Sequence, residues 1–264
     1  QVSPGVSVVE TDLTTIVPTI STTAAGFVGS FSWGPANEIR TISSENELRE
    51  VYGDPDDEKF AWWFSAANFL RYGSNLQVVR AVESGAKNAG ITTDDGSDSP
   101  AIKGWPIDDQ LTGTGNLNGG EGTSPFVSRY PGVIGNNIGV AVLDSNGNSG
   151  ETLADFKFGS FLRAKPNTTA RAAERTGITD GFFDELSIVV YDATGYFTGT
   201  KDTVLELYEG VSKAIDAKKD DGRSNYYRNV INNGSEYILA TKATTLAGGV
   251  AGTNAEQDIQ TVYG

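Results

Sequence analysis

The chain has 264 residues, of which 38% are hydrophobic, and a formal net charge of −14 at pH 7. This excess of acidic residues would repel a nucleic-acid backbone, and the absence of cysteine and histidine excludes disulfides, thiol nucleophiles, imidazole bases and most transition-metal sites. These features predict a protein without metal, cofactor, catalytic residue or direct nucleic-acid partner. No apolar run is long enough to span a bilayer, so stable membrane insertion is not expected either.

Residues 1–25 have the character of an extended arm. Val6, Val8, Val9 and Glu10 belong to one alternating stretch, and mostly polar and β-branched residues follow it. Such a segment has too little apolar surface to fold by itself. It is therefore either a frayed terminus or a strand donated to the sheet of a neighbouring subunit, with those four residues at the interface.

The stretch after the arm predicts two short strands. Small residues surround Phe27, Val28 and Phe31, which is typical of a buried strand, and Gly34-Pro35 then turns the chain. Residues 38–42 predict the second strand. We expect Phe27 to pack in the core.

Two helices and a third strand are predicted to complete an α/β unit. Either Ser43 or Ser44 is a good N-cap, and Glu47 stands three residues after Ser44 as in a capping box, which predicts a helix from Glu45 to Tyr52. A second helix should start near Asp56, with aromatic and small residues at helical spacing facing the core. Residues 76–82 are almost continuously apolar, which predicts an interior strand covered on both faces. The core-packing side chains predicted here are Trp63, Phe64 and Val79.

The composition changes between Glu83 and about Thr123, where Gly, Ser, Asp, Asn and Thr dominate. Ile102, Trp105 and Ile107 are among the few apolar anchors in this stretch. That composition predicts loop or weakly ordered structure. We therefore expect residues 91–125 to form a short, loop-rich, β-leaning surface insertion.

Regular structure is predicted to return after the insertion. A tight turn at residues 135–137 leads into a strand over residues 138–143. Residues 144–148 carry oxygen ligands at alternate positions, as a calcium loop does. Since Ser149 stands where that loop needs glycine, an ordinary Asn-Gly hairpin turn is the preferred interpretation.

The last third of the chain predicts further strands and helices. Residues 185–191 predict a buried strand with Val189 in the core, and apolar residues at helical spacing predict a helix over residues 203–217. A strand is expected at residues 236–240. The glycine loop at residues 248–254 lacks the pattern of a phosphate-binding loop, so we expect it only to lead into a helix.

Several of these stretches together resemble the tail sheath proteins of contractile-tailed bacteriophages. The resemblance rests on Pro4-Gly5 with AAGFVGSFSWGPANEIR, on NFLRYGSNLQVVRAV, on SRYPGVIGNNIGVAV, and on ELSIVVYDATGYFTGTKDTVLELYEGVSKAIDAK. It covers residues 1 to about 90 and 125–264, roughly the N-terminal half of a sheath subunit, so we expect the chain to be a fragment without the C-terminal domain. It also favours strand donation as the role of the arm.

The resemblance implies an α/β (α+β) sheath-protein core with a mixed sheet flanked by helices, built from residues 26–90 and 126–264. It implies a structural subunit, not an enzyme, that polymerises with neighbouring sheath subunits in helically stacked rings around a tail tube. Contraction would then drive the tube through the host envelope. The tail tube, baseplate and tail terminator proteins would be its partners, the virion tail its location, and the host cytoplasm its place of assembly.

A carbohydrate- or surface-binding module is the alternative function. Trp105, Tyr226 and Tyr227 would then be exposed aromatic residues among loops rich in Gly, Asn and Thr. A sheath protein forms long polymers, whereas a binding module stays small and retains a glycan. Electron microscopy and glycan binding therefore separate the two functions.

Overall fold

The computed structural model describes residues 24–83, 86–90, 105–106, 126–144, 153–170, 173–174, 177 and 183–240. Within these ranges the chain forms three small β-sheets and three α-helices. The mixed α/β fold class predicted from the sequence is confirmed.

The first sheet and its two helices come from the first part of the described chain, residues 24–80. Its strands are β1 (Ala24–Gly29), β2 (Ile39–Ile42) and β3 (Asn75–Arg80), in the order β1-β3-β2. β1 runs parallel to β3, and β2 runs antiparallel to it. The helices α1 (Glu45–Tyr52) and α2 (Phe60–Leu70) connect β2 to β3. This is the α/β unit that the sequence predicts.

Local sequence signals start and end α1 as predicted. The Ser44 hydroxyl accepts a hydrogen bond from the backbone N–H of Glu47 at 3.2 Å, and the Glu47 carboxylate accepts one from the backbone N–H of Ser43 at 2.8 Å. Gly53 ends the helix with a φ of 78°, and its N–H donates to the carbonyl of Arg49 at 2.9 Å.

Helices cover the first sheet on one face only. Leu76 and Val78 of β3 are buried against the helices, whereas Asn75 and Gln77 are exposed. The prediction that β3 is covered on both faces is therefore wrong for the described residues. The polar side chains at alternate positions mark the open face, since successive residues of a strand point to opposite sides of the sheet.

α2 buries only part of its predicted aromatic face. Trp63, Ala66 and Ala67 are buried, but Phe60 and Phe64 are 52% and 46% exposed. Because successive helical residues differ by about 100°, Phe64 lies beside the buried stripe, about a quarter turn from its centre. The prediction that Phe64 packs in the core is therefore corrected.

The second sheet joins distant segments of the chain. β4 (Lys87–Gly90), β5 (Trp105–Pro106), β6 (Phe126–Pro131) and β10 (Ile238–Ala240) pair antiparallel in the order β10-β6-β4-β5. β5 is the only part of residues 91–125 that the structure describes.

The third sheet follows a short 3₁₀ turn at Val133–Asn137. It contains β7 (Ile138–Asp144), β8 (Glu185–Asp192) and β9 (Thr203–Ser212) in that order, all antiparallel. The helix α3 (Tyr227–Gly234) then packs through Tyr227 and Ile231 against a second core. Strands of the second and third sheets supply most of the other side chains of this core, whereas the first core lies between the first sheet and its two helices. The strands predicted at residues 138–143 and 185–191 are confirmed.

β9 lies where the sequence predicts a helix. Two register shifts interrupt its pairing with β8, and one leaves Gly210, with a φ of 71°, as an extra residue between the pairs of Glu209 and Val211. As a result Leu205, Tyr208 and Val211 pack on the same core at intervals of three residues. That spacing imitates a helical face, which explains why the helix prediction for residues 203–217 is wrong.

Replacing each of the adjacent aromatic residues of α2 by alanine tests this orientation. Trp63→Ala should lower the free energy of unfolding by about 3–5 kcal/mol, because it removes a buried ring. Phe64→Ala should lower it by at most about 1 kcal/mol, because the ring is half-exposed. Urea unfolding followed by circular dichroism measures both, and equal losses would contradict the orientation of α2.

Candidate functional site

The arm residues predicted to donate a strand, Val6, Val8, Val9 and Glu10, lie outside the described residues. The structure does describe the point where the arm ends. β1 begins at Ala24 and forms one edge of the first sheet, and β2 forms the other. Edge strands present backbone N–H and C=O groups that can pair with a further strand. Within the described residues, the two edges of the first sheet are thus candidate sites for strand addition.

The open face of the first sheet carries a row of β-branched side chains. Val28 pairs with Val79, which in turn pairs with Ile39, so the three lie side by side on one face. Val28 and Ile39 are 62% and 65% exposed. The predictions of a buried Val28 and a core-packing Val79 are therefore corrected, because both residues face away from α1 and α2.

The other predicted core residues are partly or fully buried: Phe27, Trp63 and Val189. Phe27 is partly buried, packs against the first core cluster and makes an edge-to-face contact with Phe31 at 6.0 Å between ring centroids. Trp63 is buried, and its indole N–H donates to the carbonyl of Gly53 at 2.9 Å. Val189 of β8 is fully buried.

Arg80, the last residue of β3, joins the first sheet to the second. Its guanidinium donates to the carbonyls of Phe31 and Gly34 at 2.8 Å and of Ser32 at 3.3 Å. It also donates to the carbonyl of Pro131, in β6, at 2.8 Å. Burial lowers the pKa of Arg80 to about 10, so the group stays protonated at neutral pH. One side chain thus holds the turn after β1 against the second sheet.

The same turn inserts an aromatic ring into the second core. Trp33 contacts Tyr130 and Phe197 edge to face, at 5.2 and 5.6 Å between centroids, and Phe197 contacts Tyr237 at 5.3 Å. Gly34 allows this turn, because its φ is 96° and a Cβ there would lie 2.4 Å from a backbone oxygen of α1. The turn therefore depends on glycine at this position.

Asp192 holds the loop that supplies Phe197. Its buried carboxylate accepts hydrogen bonds from the backbone N–H groups of Gly195, Tyr196, Phe197 and Thr198, at 2.8–3.0 Å. Burial by itself raises the pKa of Asp192, but the donors, led by Thr198 and Gly195, lower it below its ordinary value. The loop is thus fixed by a carboxylate that must stay ionised.

Ser32, Asp56 and Lys59 form a polar cluster near the start of α2. Such side chains can take part in catalysis, but here they stabilise the local structure. The Ser32 hydroxyl donates to Asp56, and the Nζ of Lys59 lies 3.4 Å from both side chains. The second oxygen of Asp56 accepts from the backbone N–H of Lys59 at 2.6 Å, so it holds the turn that leads into α2. Because Ser32 is buried, its hydroxyl cannot serve as an accessible nucleophile.

The structure also bears on the ligand-binding alternatives. Asp144, the first residue of the calcium-like stretch, pairs with Lys213 at 2.9 Å, and both side chains are buried. Tyr226 and Tyr227 are buried as well, which removes two of the three aromatic residues expected for glycan binding. The side chain of Trp105 and residues 145–150 and 241–264 lie outside the description.

Neither a metal-binding group nor a membrane-spanning helix occurs among the described residues. They contain no group of acidic residues that could hold a metal ion. They also contain no helix that is long and apolar enough to cross a membrane.

The sequence interpretation missed the roles of Arg80 and Asp192. Arg80 stands as a charge inside the apolar stretch VVRAV, and Asp192 ends a buried strand just before Ala-Thr-Gly. A charge in an otherwise apolar strand signals a buried hydrogen-bonding role, since isolated buried charges are too costly. The sequence therefore indicates a buried role for both charged residues, but it does not reveal their hydrogen-bond partners.

Removing the guanidinium tests the junction. Arg80→Met should lower the free energy of unfolding by about 3 kcal/mol or more, because buried carbonyls lose their donor. The matched control Arg40→Met, in the exposed pair with Glu38, should cost at most about 1 kcal/mol. Urea unfolding measures both variants, and a small loss for Arg80→Met would contradict the junction.

The Asp192 carboxylate should make stability depend on pH. A lowered pKa stabilises the fold above the unfolded-state pKa, and this stabilisation is lost as the pH falls through the folded-state pKa. Asp192→Asn should therefore cost about 2–3 kcal/mol at neutral pH and progressively less toward about pH 3. Urea unfolding across this range checks it, with the exposed Asp220→Asn as control. A cost independent of pH would contradict the role of the charge.

Comparisons with known proteins point to one family. Residues 22–81 match the family model described as the domain III N-terminal region of the tail sheath protein Gp18. The tail sheath protein of Enterobacteria phage T4 is 42% identical over 81 residues, covering 31% of this chain and 12% of that protein. The tail sheath protein of Vibrio phage KVP40 is 40% identical over 78 residues, covering 30% of this chain and 12% of that protein.

Longer matches are weaker in identity. The tail sheath protein of Salmonella phage ViI is 25% identical over 94% of this chain and 50% of its own length. Among solved structures, a sheath tail protein from Listeria innocua shares 13% identity with a TM-score of 0.35, covering 86% of this chain and 34% of that one. The chain thus spans between 12% and 50% of the length of these curated relatives. The chain is thus similar to the tail sheath proteins of several bacteriophages, which confirms the resemblance seen in its sequence.

Proposed function

We propose that the chain is the assembling core of a contractile tail sheath subunit. Copies stack in helical rings around a tail tube, and shortening of the sheath drives the tube through the host envelope. The observation that carries the proposal is the match of residues 22–81 to a sheath domain, because these residues form the first sheet with its two edges. The similar proteins are tail sheath proteins, which supports a structural role without catalysis.

The position of the arm supports assembly by strand addition. Residues 1–25 lead directly into β1, an edge strand, and Val6, Val8 and Glu10 share one face of the predicted arm strand while Val9 lies on the other. A strand added to a sheet edge gains a ladder of backbone hydrogen bonds, and its alternate side chains give specificity. We propose that the arm of one subunit pairs with the sheet of a neighbouring subunit.

The remaining parts of the proposal concern organisation and partners. Residues 26–90 and 126–264 form a discontinuous core, and residues 91–125 form a short surface insertion. Neighbouring sheath subunits are the main partners, and the tail tube, baseplate and tail terminator proteins contact the assembled sheath. The sheath assembles in the host cytoplasm and acts in the virion tail. Its driving force lies in contacts between subunits.

Deleting residues 1–22 tests the arm. Because the deleted segment precedes β1, the melting temperature of the folded core should change by only a few degrees. The complete product of the gene should, in contrast, lose its ability to form long tubes in negative-stain electron microscopy. Val8→Asp should act like the deletion, whereas Ser7→Asp adds the same charge one residue away, on the opposite face, and should be tolerated better. Tubes of normal length from the deletion variant would contradict strand donation.

A further inference from the structure

The helix α2 is unusual in its lack of charge. Its eleven residues, FAWWFSAANFL, include no acidic or basic side chain, although the chain has a formal net charge of −14. A surface helix normally places polar and charged residues on its outer side, and a helix that is apolar all round is normally covered. In this structure the outer side of α2 is uncovered: Phe60, Trp62 and Phe64 are 52%, 47% and 46% exposed.

The exposed rings border a shallow groove. At about 100° per residue, Phe60 and Phe64 lie on one flank of the helix and Trp62 on the other, with Ala61 and Ser65 between them. The Ser65 hydroxyl donates to the carbonyl of Ala61 at 2.6 Å, so it does not require water. We call the surface formed by these five residues the α2 groove.

The ring of Trp62 is supported from below. It contacts Phe27 edge to face, at 6.4 Å between centroids, and a Cβ added to Gly29 would lie 3.3 Å from its six-membered ring. This flank of the groove therefore rests on β1. Trp62 thus connects the groove to β1, the strand that follows the predicted arm.

We propose that the α2 groove is an interface with a second copy of this chain in the sheath polymer. The proposal rests on the proposed sheath function and adds a contact site distinct from the arm. The site takes an apolar, uncharged surface of the neighbouring copy.

Charge restricts where two copies of the chain can touch. Two copies with a formal net charge of −14 repel each other, and at about 0.1 M salt this repulsion acts over roughly 10 Å. In a polymer of such copies, a contact is least costly where no charges must be brought together. Within the described residues, the outer side of α2 supplies an uncharged surface with aromatic rings already exposed, and Asn68 is the exposed amide that loses water there.

The size of the groove fits a polymer contact better than an isolated dimer. A large aromatic side chain buries about 150–250 Å² when fully covered, so three half-exposed rings offer roughly 300 Å². A stable interface of two proteins buries about 800 Å² on each partner. One groove contact is therefore weak, and the 264-residue chain should be monomeric at micromolar concentration. Repeated contacts become effective together in a polymer.

A single thiol measures coverage of the groove directly. The chain has no cysteine, so Ser65→Cys introduces the only thiol, in the floor of the groove. The rate at which a maleimide labels residue 65 is read from the mass of the peptide that contains it, in the 264-residue chain, in the unpolymerised complete gene product, and in polymer purified by sedimentation. The rate in urea gives the intrinsic reactivity. We expect rapid labelling in both unpolymerised forms and labelling at least about tenfold slower in the polymer.

Four results would overturn the inference, and each identifies what is wrong. Polymer that labels as fast as the monomer leaves the sheath function intact but shows the groove to be open. Protection in the unpolymerised gene product shows that the polypeptide covers its own groove, and protection that requires an added tube protein assigns the groove to a different partner. Failure of the parent protein to polymerise under any condition counts against the proposed function itself and the inference together.

A pair of phenylalanine variants provides the second measurement. Phe64→Gln should raise the protein concentration needed for polymer formation at least about tenfold without changing the melting temperature by more than a few degrees. The matched control is Phe161→Gln, because Phe161 is 55% exposed on a different part of the molecule. It should change the required concentration by less than about twofold. Equal behaviour of the two variants would overturn the assignment of the groove.

Discussion

The hydrogen bonds of the buried Arg80 guanidinium are the interaction on which the arrangement of the first and second sheets depends. A cation removed from water is costly unless polar groups replace its hydration, and here carbonyl dipoles from two separate segments do so. Those carbonyls fix the turn that carries Trp33, and Trp33 in turn meets Phe197 in the second core. The loop of Phe197 is held by Asp192. The junction is therefore a chain of specific contacts, each of which requires the one before it.

The family match and the structural contacts concentrate in the same stretch. Residues 22–81 include both edges of the first sheet, the α2 groove and Arg80, and identity to the phage T4 relative reaches 42% in the aligned segment. Over almost the whole chain the identity to the phage ViI relative is 25%. A segment that must both fold and join the second sheet has few positions that tolerate substitution. This combination of demands explains why the resemblance is clearest there.

Sequence reasoning succeeded where structure is determined locally. The capping residues of α1 and the apolar run of β8 each depend on neighbours within a few positions, and both elements were predicted correctly. β9 was not, because the register shifts around Gly210 depend on its pairing with β8 and produce a false helical spacing. Phe64 and Val79 failed for a related reason: apolar character predicts burial but not which face a neighbour covers. The partners of Arg80 follow only from the complete topology.

The parallel pairing of β1 with β3 has a mechanical consequence. Tension on the chain ahead of Ala24 enters β1 at its N-terminal end, while β3 is anchored at its opposite end by Arg80. Parallel strands pulled from opposite ends are loaded in shear, so the ladder from Ala24–Asn75 to Gly29–Arg80 resists as a unit. A strand peeled from one end would instead lose its hydrogen bonds one at a time. The first sheet is thus oriented to transmit a pull on the chain ahead of Ala24 into the rest of the fold without coming apart.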